Sequence, residues 1–195
     1  MSFKRPALEV SVIMRREPIV GTMSRWQSHR WVLEDVVLEG EASIGVVEKT
    51  ALLISKDDSN ECWKHAGYKV ELFSDDAEGY YLNVTTDAPC WFVLWRMEEE
   101  AGITDAPIAK PEMVSLSYHD AGRWLDAQET VEQVPLPPEV VAWLQAFVDE
   151  HHVIETKKRK RPESFKRLED RFGNPASITT EKKMGGDFHK GNNHG

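Results

Sequence analysis

Hydrophobic and polar positions alternate along the first part of the chain. Leu8, Val10, Val12 and Met14 are separated by single residues that are mostly polar, and a period of two is typical of a half-buried β-strand. Alternation or short apolar runs of the same kind predict further strands at 31–38, 50–55, 114–119 and 130–134. The chain is therefore expected to be rich in β-structure.

The segment 68–85 predicts a hairpin. Residues 68–72 alternate as a strand, residues 74–79 have the composition of a turn, and residues 80–85 are interpreted as the returning strand. The following segment, 90–97, is apolar at nearly every position. Such a run is typical of a central strand that is covered on both faces.

An amphipathic helix is predicted from about residue 138 to residue 151. Proline near the first turn favours a helix start there. Apolar residues then recur at helical spacing, at Val140, Trp143, Leu144, Phe147, Val148 and His151. A short helix is expected at 120–126. Together these elements predict an α+β fold that is mainly β, a bent antiparallel sheet or a partly open barrel or sandwich capped by the C-terminal helix.

Charge divides the chain into two parts. Residues 151–195 contain eleven Lys and Arg against six Asp and Glu, a net charge of about +5, which leaves about −14 on residues 1–150. Apolar periodicity also stops after the helix, and too little apolar surface remains to offset the entropy of ordering. The sequence predicts one β-rich domain over 1–156 and a basic, largely disordered tail over 157–195, which carries Lys157, Lys158, Arg159, Lys160 and Arg161.

Composition predicts a soluble, cytoplasmic protein. No apolar run reaches the roughly 18 residues of a membrane span, and the segment after Lys4 and Arg5 does not have the apolar core of a signal peptide. Cys62 and Cys90 stand alone, without the spacing of a redox or metal motif. They are expected to be reduced thiols that pack as small hydrophobic residues.

The sequence carries no catalytic or metal-binding signature. It contains no G-x-S-x-G, P-loop or G-x-G-x-x-G motif. His151 and His152 are neighbours on the predicted helix and would point about 100° apart. His29, His65 and His119 lie on separate segments. We therefore predict no enzymatic activity, no metal site and no cofactor.

A short segment rich in Arg and Trp is the candidate partner-binding site. These two residue types are enriched at the energetic centres of protein interfaces, and they occur together between residues 24 and 31. Stacking of Arg on Trp would equally serve to hold this loop on the first sheet, so both interpretations stay open. The candidate residues are Arg25, Trp26, His29, Arg30 and Trp31.

Four features together resemble an uncharacterised proteobacterial family of unknown function. They are the end of the first strand at Arg15-Arg16, the Arg25-Trp26-x-Ser28-x-Arg30-Trp31 segment, the Val134–Pro138 lead into the last helix, and the closing basic run. The resemblance covers about residues 8–161. Genes of that family often lie beside those of formate dehydrogenase subunits and molybdenum-cofactor handling proteins, so the resemblance implies an accessory role in that system. It implies no catalytic or binding residues.

Two functions from different classes follow. The first is a non-enzymatic accessory or assembly factor that binds a partner protein, with formate dehydrogenase as the candidate. The second is a nucleic-acid-associated protein whose basic run, 157–161, contacts phosphates. The acidic domain would repel nucleic acid, and the tail has few aromatic residues to stack on bases, so a protein partner is favoured. A third interpretation, in which the run binds the chain's own acidic surface, stays open.

Overall fold

The computed structural model describes residues 5–40, 49–99 and 106–153. Within these ranges the chain forms seven strands and three α-helices. In chain order they are β1 (Ala7–Pro18), β2 (His29–Leu38), β3 (Thr50–Lys56), β4 (Glu61–Glu71), α1 (Ala77–Val84), β5 (Cys90–Glu98), β6 (Ile108–Ser115), α2 (Tyr118–Asp126), β7 (Thr130–Pro135) and α3 (Pro138–His151). The tail predicted over 157–195 lies outside the described residues.

The strands form two antiparallel sheets, and neither of them closes into a barrel. Their strand orders are β2-β1-β4-β3 and β6-β5-β7. The sheets are joined where the Tyr68 hydroxyl of β4 donates a 2.6 Å hydrogen bond to the Pro111 carbonyl of β6. They are joined again where the Leu33 backbone N–H of β2 donates to the Glu132 carboxylate of β7 at 2.5 Å. The prediction of a mainly β, α+β fold built on antiparallel sheets is confirmed.

The main hydrophobic core contains residues from both sheets. Val10, Val12 and Met14 of β1 are fully buried, because alternate residues of a strand point to the same face. Trp91 and Val93 of β5 are fully buried as well and belong to the same cluster. The alternation in the first strand and the apolar run in the fifth thus meet in one core, whose burial is the dominant stabilising contribution to the fold.

β5 is the central strand of its sheet and is covered on both faces, as its sequence predicts. One face joins the main core, and on the other Cys90 and Phe92 pack against Ala121 of α2 in a second cluster. Burial raises the pKa of the Cys90 thiol. Cys90 is buried and Cys62 is half-buried, and both are free thiols.

The predicted C-terminal helix is confirmed as α3, with the same ends. Pro138 occupies the first turn, where its missing N–H leaves no helical hydrogen bond unmade. Phe147 packs edge-on against Tyr80 of α1 with ring centroids 5.8 Å apart. Trp143 is only partly buried at the margin of the main core. The buried face of α3 consists of Val140, Leu144, Phe147 and Val148.

The hairpin predicted over 68–85 is wrong, because its second half is helix α1. A strand would have placed Tyr80, Leu82 and Val84 on one face. Instead Tyr80 and Val84 are buried and Leu82 is exposed, which matches helical spacing rather than a period of two. The aromatic and β-branched residues that suggested a strand serve here to pack α1 against α3.

The strand predicted over 114–119 begins and ends earlier, since β6 spans Ile108–Ser115. Ser117 is the N-cap of α2, and its hydroxyl accepts a hydrogen bond from the Asp120 backbone N–H. A serine in this position satisfies one of the free N–H groups of the first helical turn. Tyr118 and His119 therefore open the helix instead of extending the strand. The short helix predicted at 120–126 is confirmed as the greater part of α2.

Two helical glycines provide a test of how closely α1 approaches its neighbours. A Cβ at Gly79 of α1 would lie 2.2 Å from the hydroxyl of Ser117, whereas a Cβ at Gly122 of α2 would meet no atom within 4 Å. Ser117 is fully buried and holds the cap of α2, so it has little freedom to move. We expect Gly79→Ala to destabilise the fold by about 1–3 kcal/mol. Gly122→Ala should stabilise it by about 0.5–1 kcal/mol, because alanine favours helix.

Urea denaturation of both variants measures these changes in the free energy of unfolding. Equal effects of the two substitutions would contradict the close approach of α1 to Ser117.

Candidate partner-binding site at the first hairpin

β1 and β2 are joined by a ten-residue connection that forms the tip of a long hairpin. The backbone N–H of Ile19 donates to the Ser28 carbonyl at 2.9 Å, which closes the tip just beyond the paired residues Pro18 and His29. Between them, residues Thr22–Arg25 form a single 3-10 turn. Gly21 precedes this turn with φ of 107°, a conformation that side-chain-bearing residues rarely adopt.

The tip is held by its own hydrogen bonds. The Ser24 hydroxyl donates to the Gly21 carbonyl at 2.6 Å, and the backbone N–H of Trp26 donates to the Met23 carbonyl at 3.0 Å. The backbone N–H of Gln27 reaches the same carbonyl at 3.2 Å. These contacts define a conformation for the tip without burying its side chains.

Three apolar side chains project from this tip into solvent. Val20 is 92% exposed, Met23 63% and Trp26 87%. We call these three residues the apolar tip. A tryptophan exposed to this degree makes few stabilising contacts within its own chain, although its large ring is favourable to bury. Trp26 is therefore better placed to bind a partner than to stabilise the core.

Ion pairs fix the strand residues next to the tip, which we call the base of the hairpin. Two guanidinium nitrogens of Arg30 donate to one carboxylate oxygen of Glu17, at 2.7 and 2.5 Å. Arg16 lies 3.4 Å from His29 Nδ1 and 3.6 Å from a carboxylate oxygen of Glu61. These contacts position the strands that carry the apolar tip.

Glu61 also receives a 2.8 Å hydrogen bond from Lys56. This hydrogen bond is the main cause of the lowered pKa of the Glu61 carboxyl, and the charge of Arg16 acts in the same direction. Glu61 is therefore ionised at neutral pH and remains an anionic partner for Arg16. The pairing of β1 with β4 thus extends the support of the hairpin to a third strand.

The structure divides the five residues predicted as partner-binding candidates into three groups. Arg25 and Trp26 lie on the exposed tip. His29 and Arg30 belong to the base of the hairpin through their contacts with Arg16 and Glu17. Trp31 is half-buried and packs against the main core. The second predicted set, Lys157, Lys158, Arg159, Lys160 and Arg161, lies outside the described residues.

Stacking of Arg on Trp does not fix this segment. In the part of the chain that the structure describes, cation–π contacts join Arg5 to Phe73 and Lys49 to Tyr68. The second half of the segment is nevertheless fixed to the fold, although other contacts do this. Arg30 is fixed by an ion pair and Trp31 by burial, whereas Trp26 is left in solvent.

Val20 and Met23 were missed by the sequence analysis, although they complete the apolar tip. The signal that would have found them is the spacing of three between Val20, Met23 and Trp26 in the connection between Pro18 and His29. A spacing of three places residues on one side of a 3-10 turn, although only Met23 lies within the turn at Thr22–Arg25. Without knowledge of the turn, two isolated apolar residues in a connection carry no information about exposure.

A separate concave surface lies between the end of β4, β6 and the helices α1 and α2. It is an open groove of about 560 Å³ whose lining includes Lys69, Glu71, Phe73, Tyr80 and Asp120. Lys69 pairs with Glu71 at 2.6 Å, and Asp120 accepts from the Ser115 hydroxyl at 2.6 Å and pairs with Arg123. Much of its charge is therefore neutralised within the groove, and the apolar tip is the stronger candidate.

The histidines on separate segments stay apart in the described structure. His65 is buried, and burial lowers the pKa of its imidazole to about 4, so it is neutral at pH 7. His119 lies 3.5 Å from Asp76, and His29 is at the base of the hairpin. Over residues 5–40, 49–99 and 106–153, no group of three or more His, Cys, Asp or Glu is placed to hold a metal ion.

Of the α-helices in the described ranges, none is long and apolar enough to cross a bilayer.

Comparison with known proteins assigns the chain to a family. A family model described as a protein of unknown function (DUF3305) matches residues 9–161. The chain belongs to this family. The match includes all but the first two residues of the first hairpin and extends over the basic run, and it agrees closely with the range of the resemblance seen in the sequence. No curated protein and no solved structure matches the chain. DUF3305 carries no assigned activity, so a function has to be argued from the geometry of the site.

Proposed function

We propose that the protein is a non-enzymatic accessory factor that binds a partner protein through the apolar tip of its first hairpin. The observation that carries this proposal is the 87% exposure of Trp26, beside two further exposed apolar side chains. Contiguous exposed apolar residues mark interaction sites more often than isolated ones do. The partner is expected to offer an apolar pocket that accepts the indole ring.

The charges around the tip define the rest of the interface. Arg25 is exposed beside Trp26, and the Arg30 side chain is 61% exposed although it is paired with Glu17. Exposed charges at the rim of an interface contribute more to association rate and orientation than to affinity. An acidic rim around the partner's pocket would complement Arg25 and Arg30.

Formate dehydrogenase is the proposed partner, since the family resemblance implies a role beside its genes. The alternative, a nucleic-acid-associated protein, depends on residues 157–161, which lie outside the described structure. The charge of about −14 on residues 1–150 disfavours it. The apolar tip also favours a protein partner, because binding of nucleic acid is dominated by contacts between basic side chains and phosphates.

Trp26→Ala is expected to weaken binding of formate dehydrogenase by about 2 kcal/mol or more, about 30-fold in Kd, as for a buried aromatic anchor. Its melting temperature should stay close to that of the wild type because the side chain is exposed. The measurement is the affinity of purified formate dehydrogenase for each variant.

Leu125→Ala is the matched control, since Leu125 is 58% exposed and lies on α2, which is not part of the hairpin. Equal binding by wild type and Trp26→Ala would exclude the tip as the site. Normal assembly and activity of formate dehydrogenase in a strain that does not contain this protein would exclude the partner.

A further inference from the structure

Four strands lie at the edges of the two sheets, and three of them are protected against pairing with another chain. An edge strand presents unpaired backbone N–H and C=O groups, which natural proteins usually shield with charges, proline or a covering element. β2 and β7 lie against each other and share the hydrogen bond between Leu33 and Glu132. β6 carries Lys110, Pro111 and Glu112 in succession at its centre.

β3 has neither a charged residue nor a proline at its centre, although a β-bulge interrupts its pairing with β4 between Leu53 and Ser55. It pairs with β4 along one side, and no described strand pairs with its other side. Its three central residues are apolar and exposed, Leu52 by 64%, Leu53 by 38% and Ile54 by 47%. Because successive residues of a strand point to opposite faces, apolar surface is exposed on both faces of this edge.

We propose that β3 is the surface through which two copies of this chain associate, by antiparallel pairing of β3 with β3 of a second copy. This inference is independent of the proposed function, which uses the hairpin at the other end of the strand order. Most homodimers are two-fold symmetric, with the same patch on both subunits. Pairing of this kind would join two four-stranded sheets into one continuous sheet of eight strands.

The sequence of β3 is self-complementary in such a pairing. When a two-fold axis perpendicular to the sheet relates two antiparallel strands, the residue at the axis lies opposite the same residue of the other copy. Paired side chains lie on the same face of the sheet. Centring the axis on Leu53 overlaps the whole of β3. In this register Leu52 is opposite Ile54, the residue at the β-bulge of β3, on both sides of the axis, so apolar residues meet apolar residues.

The flanking charges are compatible with the same register. Lys56 faces Thr50, and Lys49 faces Asp57, so no like charges oppose each other. Like charges directly opposite on neighbouring strands are destabilising. A second copy therefore meets no like charge at this edge, where Lys56 is already paired with Glu61 and Lys49 donates to the Glu112 carbonyl.

Sedimentation of the full chain over a series of micromolar concentrations tests the proposal. The wild type is expected to form a dimer. In the double variant Leu52→Lys/Ile54→Lys each new lysine faces a lysine of the other copy, and dimerisation should weaken by about 100-fold or more. The matched control is Met113→Lys/Leu125→Lys, which places the same charges on exposed apolar positions of β6 and α2 and should dimerise as the wild type does.

A cross-link tests the register. Leu53→Cys in a Cys62→Ser background would bring two thiols together across the axis, where facing Cα atoms lie about 5.5 Å apart or less. Oxidation should produce a covalent dimer, whereas Val20→Cys in the same background should not. A monomeric wild type at every concentration, a dimer that withstands the two lysines, or equal loss in the control variant would overturn the proposal. Failure of the Leu53→Cys variant to cross-link would overturn the register.

Discussion

Replacing Trp91 with alanine is expected to destabilise the fold by about 3–5 kcal/mol, the range for deletion of a large aromatic side chain from a core. Trp91 is fully buried in the main cluster. It lies on the central strand of its sheet, where neighbours on both sides restrict collapse of the space that its removal would leave. Chemical denaturation, followed by circular dichroism, measures the change in the free energy of unfolding.

Trp91→Phe separates the loss of packing from the loss of the indole N–H. Within the described structure, the Nε1 of Trp91 is buried without a hydrogen-bond partner, and an unsatisfied buried donor is itself unfavourable. Phenylalanine keeps most of the apolar surface and removes this donor, so we expect a loss of about 1 kcal/mol or less. A Trp91→Ala variant as stable as Trp91→Phe would contradict the central packing role of this residue.

Replacing Asn83 with leucine is expected to cost about 3 kcal/mol or more, because three buried backbone groups would lose their partners. The Asn83 side-chain amide donates at 2.8 Å to the carbonyls of Cys90 and Leu116. Its carbonyl oxygen accepts from the backbone N–H of Cys90 at 3.0 Å. One side chain of α1 thus connects the start of β5 to the segment that follows β6. The free energy of unfolding in urea measures the loss.

Gln145→Leu is the matched control for Asn83→Leu. The Gln145 amide also donates to a neighbour, Asp149, at 2.7 Å, but this hydrogen bond is on the exposed surface of α3. Water replaces a partner there, so we expect a change within about 0.5 kcal/mol. Similar losses in the two variants would show that burial of the Asn83 hydrogen bonds does not set their contribution.

The candidate site was predictable from residue types only in part. Trp26 and Arg25 were selected because Trp and Arg are common at the centres of interfaces, and both lie on the exposed tip. Trp31 has the same residue type as Trp26 but packs against the core, and nothing in its chemistry distinguishes the two. What distinguishes them is that Trp31 lies within β2, beside Arg16 of β1, whereas Trp26 follows the 3-10 turn. Val20 and Met23 were missed for the same reason.

The contrast between β5 and α1 shows where local patterns succeed and fail. The apolar run of β5 is long enough that a buried strand is the favoured interpretation, and the structure confirms it. The segment 80–85 alternates only over a few residues, and a short segment of this composition fits a strand or a helix equally well. Contacts of Tyr80 with Phe147 and of Asn83 with Cys90 and Leu116 stabilise the helix, and these partners are distant in the sequence.

Residues near one another in the sequence determined the extent of α3, the greater part of α2, the strand character of β1, β2, β3, β5 and β7, and the mainly β fold class. Periodicity, caps and prolines act over a few residues, so a single sequence contains them. Only the tertiary structure decided which apolar residues are left in solvent. Trp26 of the hairpin and Leu52 of β3 have the same hydrophobic character as the core residues, and they are exposed because no described element of the fold lies against them. Exposure depends on the whole arrangement of the sheets, and for this reason the exposed edge of β3 and the contribution of Val20 and Met23 to the apolar tip became visible only in the folded chain.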